Sequence, residues 1–178
     1  MSDMQPGKGV AVSIGGLEWH LLFTWAAVDK IQDLFRLPLS AVMKQLSEPM
    51  ETFKVAGKIL AVLIEEDMRR SGSGVKPPTA KQLMDVIDIS QTQEVLGAII
   101  RAYHSNMPEV DEDEDDEEEE QGTEALNIPR LLLIGTTELK LTEDQFWDVT
   151  PRKFFRLVEE YQIMKGITKP EQGIDDLP

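Results

Sequence analysis

The 178-residue chain contains no cysteine, only two histidines, His20 and His104, and no long apolar run. Without thiols there is no disulfide framework and no thiolate chemistry, a composition that suits a reducing compartment. Its longest apolar stretches, "ILAVLI" and "LLLI", fall far short of the roughly 20 residues a membrane helix needs. The opening "MSDMQPGKGV" lacks the apolar segment of a secretory signal. An intracellular chain that does not insert into membranes is expected. With two histidines, neither close in sequence to a plausible nucleophile, acid–base catalysis has few candidates. No nucleophile elbow, Walker loop, dinucleotide fingerprint or zinc spacing is present, because "SIGGLEW" reads as a hairpin and "SGSG" lacks the lysine and helix start of a phosphate loop. The reading is a non-enzyme without cofactor or metal.

Charge of one sign is abundant, and it is concentrated. The chain has 33 acidic and 18 basic side chains for a formal charge of −15. Residues 1–108 hold 12 acids against 11 bases, the run "EVDEDEDDEEEE" at 109–120 holds 11 acids, and residues 121–178 hold 10 acids against 7 bases. A block of like charge repels itself and cannot be buried, so residues 107–124 read as a disordered linker. Eleven carboxylates could attract a divalent cation loosely, but the run lacks the glycine of an EF-hand turn. No basic patch exists for nucleic acid, and the overall balance repels phosphate.

Residues 1–106 read as a hairpin plus helices. In "VAVSIGGLEWHLLF", Val10, Val12 and Ile14 alternate on one side of a Gly-Gly pair and Leu17, Trp19, Leu21 and Phe23 on the other, the signature of a two-residue β-turn. Glu18 and His20 fall on the wetter face, where His20 reads as a solvated surface histidine. From Thr24, a fair N-cap, the apolar period becomes helical (Ala27, Val28, Ile31, Leu34, Phe35). Trp25 lies nearer the polar side, as either a partner anchor or a ring packed back over the hairpin. A short helix is expected after Pro38 and a long one over about 48–70, its apolar stripes so wide that it should be central. Helices at about 79–87 and 90–106 complete the module.

Residues 125–166 read as a small three-helix module, followed by a flexible tail at 167–178. Pro129 to Leu133 belong to the first helix. Thr142 with Gln145 fits a capping box and Leu141 with Phe146 a hydrophobic staple. Thr150-Pro151 is an N-cap followed by proline at the first helical position, and Phe154, Leu157, Val158, Tyr161 and Met164 share a face of the last helix. Three short helices bury little against the entropy of ordering them, so this module needs a surface to pack on, either the first module or another protein. Phe155 and Trp147 read as exposed aromatic anchors or as the completion of a small core; Phe146, Phe154 and Tyr161 join them as partner-binding candidates. The fold class is mainly α, with a hairpin and helical bundle, an acidic linker and a small helical module.

Two blocks carry a family resemblance. "VSIGGLEWHLLFTWAAVDKIQDLFRLPLSAVMKQL" and "IPRLLLIGTTELKLTEDQFWDVTPRKFFRLVEEYQ" resemble the opening and the C-terminal extension of the tail assembly chaperones of long-tailed bacteriophages. The Phe146-Trp147 pair, then Thr150-Pro151-Arg152 and an aromatic-rich helix, is the sharper match. The resemblance implies a non-catalytic protein that keeps the tape measure protein soluble, recruits major tail tube subunits, and works in the host cytoplasm without entering the mature virion. Self-association is left open. It also implies that the acidic junction marks either a ribosomal frameshift or an in-frame fusion. The competing expectation is an acidic regulatory protein, a DNA mimic or an inhibitor of a basic protein.

Overall fold

The computed structural model describes residues 9–48, 51–108 and 126–167. The expected acidic linker, apart from Met107 and Pro108, and the expected tail, apart from Ile167, lie outside these residues.

Strands β1 (Val10–Ile14) and β2 (Leu17–Leu21) form one antiparallel hairpin, with Val10 opposite Leu21, Val12 opposite Trp19 and Ile14 opposite Leu17. Gly15 and Gly16 both have positive φ, 59° and 77°, the backbone that a tight two-residue turn demands and that side chains resist. One face of the hairpin is apolar, but burial grades along it. Leu21 is fully buried, Trp19 half-buried, and Leu17, at the overhanging tip, remains 60% exposed.

Among the described residues eight helices follow: α1 (Trp25–Phe35), α2 (Leu39–Gln45), α3 (Thr52–Arg70), α4 (Ala80–Val86), α5 (Ile89–Asn106), α6 (Ile128–Thr137), α7 (Glu143–Asp148) and α8 (Pro151–Met164). Six of these starts are capped by a side chain, at Thr24, Thr79, Asp88, Asn127, Thr142 and Thr150. Full capping boxes stand at Thr79–Gln82, Asp88–Gln91 and Thr142–Gln145. Each cap satisfies amide groups that helix geometry leaves without partners. Helix α3 is the central element, as its wide apolar stripes require. It packs on β2, α1, α2, α4 and α5 and buries ten of its residues. Phe53, an apolar residue in the first turn, is 54% exposed because it lies at the helix end.

The three-helix module does not stand apart from the first. Phe146, Val149 and Phe154 belong to the same hydrophobic core as Trp25, Val28 and Leu63. Helix α7 packs on α1, and α8 on α5. The surface that the short helices lack is therefore supplied by residues 9–108. Of the two surfaces expected for the short helices, the first module or another protein, the described residues show the first.

Candidate functional site: an aromatic seam and an apolar cleft

The seam between the two parts is built around Trp25. Its ring is fully buried and stacks on Phe146 with centroids 5.8 Å apart and planes 3° from parallel. Phe154 and Phe155 meet the same indole edge-on at 5.7 and 6.1 Å. Phe146 in turn meets Phe154 at 5.5 Å and Trp147 at 5.2 Å, both edge-on. Such pairs contribute roughly 0.5–1.5 kcal/mol each beyond area burial. Gly135 on α6 makes room for the cluster, since a β-carbon there would sit 3.0 Å from Phe146 and 3.2 Å from Phe154. The backbone amide of Trp25 donates to the Val149 carbonyl at 3.0 Å, which ties the start of α1 to the turn between α7 and α8. Stacking comes at a cost, because the Trp25 indole Nε1 is buried with no hydrogen-bond partner among the described residues.

A polar network runs beside the rings. Glu66, on the otherwise apolar α3, is fully buried and accepts from Lys30 at 2.7 Å and from Arg69 at 2.9 Å. Arg69 also pairs with Asp148 at the end of α7. Burial alone would raise the Glu66 carboxyl, but hydrogen bonds and charge from Lys30 and Arg69 outweigh it and hold the group below the usual carboxylate range. Burial likewise opposes the charge on Lys30, and its two carboxylate partners, Glu66 and Glu65, raise it instead. Farther along the seam, the Arg152 guanidinium donates to the carbonyls of His104 and Met107, both at 2.9 Å. A cation there satisfies the open carbonyls of the α5 C-terminus and complements its dipole.

The aromatic residues proposed from sequence are thus brought together, but inward. Trp25, Phe146 and Phe154, named from sequence as partner-binding candidates, are completely buried within this chain. Trp25 points inward, with α7 and α8 covering it. Phe155 and Trp147 are half-buried against the same core, and Trp147 Nε1 donates to Glu143 at 3.3 Å. Tyr161 stands at the rim, its hydroxyl 2.5 Å from the Glu138 carboxylate. Sequence reasoning passed over Glu66, Arg69, Asp148 and Gly135, and met Arg152 only as part of the Thr150-Pro151-Arg152 motif. Only Glu66 had a signal, a carboxylate in the interior of a helix read as central.

A second feature is a cleft of about 770 Å³ between the hairpin tip and the segment leading into α4. Ile14, Leu17, Trp19, Val75, Pro77 and Val86 line it. Leu17, Val75 and Val86 are all more than half exposed, and the volume suits a small apolar ligand or an inserted side chain. Compared with protein-family models, curated proteins and solved structures, the chain finds no match. The seam and the cleft therefore speak only through their own geometry. Among the described residues no group of three potential ligands could hold a metal ion, and no helix is long and apolar enough to cross a membrane. His20 lies 3.9 Å from Asp67 and 3.6 Å from Glu18, with its side chain 43% exposed, and His104 rests edge-on against Tyr103. Neither faces a nucleophile at hydrogen-bonding distance.

Proposed function

We propose that this protein is a non-catalytic assembly chaperone of the long-tailed-phage type, one that keeps a tape measure protein soluble and recruits tail tube subunits in the host cytoplasm. The observation that carries the reading is the ordered pair of sequence blocks, the Gly-Gly hairpin running into α1 and α2 and the Phe-Trp/Thr-Pro/aromatic-helix block of α7 and α8. A helical body with exposed apolar residues on several elements, among them Leu17, Phe53, Val86 and Leu133, supports it, since an apolar surface can cover a partner helix. Because α6–α8 lie on the first part, tube-subunit capture proceeds either from their outer faces or after they lift from Trp25. The docked arrangement makes the C-terminal segment part of the chaperone body.

Co-expression tests the reading. The full chain is expected to keep an aggregation-prone tape measure protein in the soluble fraction, and removal of residues 126–178 is expected to abolish tube-subunit binding. Retained tube-subunit binding by the shortened chain would refute the assigned division of labour. Binding that collapses as ionic strength shrinks the Debye length to about 8 Å would favour the acidic-inhibitor reading instead.

A further inference from the structure

The two edges of the hairpin are treated differently. A two-residue turn makes Ile14 and Leu17 a hydrogen-bonded pair, and alternation along an antiparallel ladder makes Val12–Trp19 and Val10–Leu21 the next ones. The N–H and C=O groups of Ala11 and Ser13 on β1, and of Glu18 and His20 on β2, then point away from the ladder. On the β2 side the edge is closed by α3, with the His20 amide donating to Asp67 at 2.9 Å and the His20 carbonyl accepting from Arg70 at 3.5 Å. On the β1 side, Ala11 and Ser13 are exposed and no described residue hydrogen-bonds their outward groups. Their side chains are small and uncharged, and β1 carries no proline, lysine or bulge, the devices that commonly guard a free edge.

We infer that the β1 edge is a docking site that adds an extended segment of a partner protein, neutral or basic in charge, as a third strand. Backbone groups at Ala11 and Ser13 supply two donors and two acceptors in the spacing that strand addition uses. A second copy of this chain does not suit the edge. Helix α5 packs along β1, and helices need 8–10 Å between axes where paired strands allow 4.7–4.9 Å, so hairpins joined edge to edge would crowd two α5 helices into one space. The chain's own residues 109–125 do not suit it either, since twelve of the seventeen are carboxylates and strand pairing places like charges side by side. The eleven carboxylates of residues 109–120 begin three residues beyond the end of α5, the helix that packs on β1, and select against an acidic segment.

The test uses the full chain labelled for amide NMR and a capped peptide of alternating Thr and Val with Lys at both ends. The expected result is a set of shifts centred on the Ala11 and Ser13 amides, with slowed solvent exchange at both. Methylating alternate peptide nitrogens, or introducing Ala11→Pro, is expected to weaken binding about tenfold or more. Ala11→Pro removes only an outward N–H, which an edge strand tolerates, and the methylated peptide gives the same information on the unaltered protein. No shift at β1 with peptide up to about 1 mM, or shifts confined to the cleft at Val75 and Val86, would overturn the site. Equal binding of a Glu-ended peptide would overturn the charge preference, and self-association through β1 would overturn the choice of occupant.

Discussion

Trp25 and Glu66 show how much a single side chain can carry in this fold. Trp25 is the ring on which three phenylalanines from the C-terminal helices converge. Trp25→Ala is expected to destabilise the protein by about 3–5 kcal/mol, measured by urea denaturation. Trp25→Phe should cost distinctly less, because it keeps ring contact and removes an indole N–H that has no partner among the described residues. Glu66 is buried between two cations whose outer ends reach solvent. Glu66→Gln weakens two charged hydrogen bonds, with an expected loss of about 1–3 kcal/mol, whereas Asp148→Asn breaks an exposed pair and should change stability by about 0–1 kcal/mol. The folded pKa of Glu66 is depressed, so its contribution is complete above the ordinary value of 4.5 and is lost as pH falls through the folded value. Denaturation midpoints measured from pH 6 downward should therefore fall less steeply in Glu66→Gln than in the native protein.

At the scale of elements, the local signals and the packing tell different stories. Caps at Thr24, Thr79, Thr142 and Thr150 were readable as residues, since a hydroxyl before an apolar period has one strong use. The Asp88–Gln91 box and the Asn127 cap, equally local, were passed over at this level of reading. Replacing Thr142 by Ala should cost about 1 kcal/mol and lower the melting temperature, with Thr150→Ala behaving alike. Burial was less legible. The apolar stripe of α1 ends on Leu34, which is 48% exposed, and Phe35 lies under Lys58, 5.3 Å from its ring centre. Trp25, on the polar side by periodicity, is buried because another part of the chain comes to cover it. Helices α6–α8 are short and depend on that contact. A chain ending at Pro108 is expected to keep its hairpin and α3 but to expose Trp25, giving a red-shifted tryptophan emission and increased binding of a hydrophobic dye; unchanged emission would contradict the seam.

Over the whole molecule, the excess negative charge and the folded core are separate properties. Nearly three quarters of the net charge falls in residues 109–120, outside the described residues. Replacing that run by a Gly-Ser segment of equal length should leave the stability of the folded part within about 0.5 kcal/mol and leave partner binding intact, as judged by denaturation and co-purification. A large loss of binding alone would assign the run a partner of its own. Composition, periodicity and capping residues by themselves determined the hairpin, the approximate position of each helix, the central place of α3 and the concentration of charge. These follow from turn geometry, helix ends and the spacing of apolar residues, all of which act over a few residues. Only the tertiary structure decided that α7 and α8 close over Trp25, that Arg69 reaches Asp148, and that the β2 edge is sealed by α3 while no described residue hydrogen-bonds the β1 edge. Those are encounters between residues 47 to 130 positions apart, and no local pattern specifies which distant surface a buried ring, a buried charge or a free strand edge will meet.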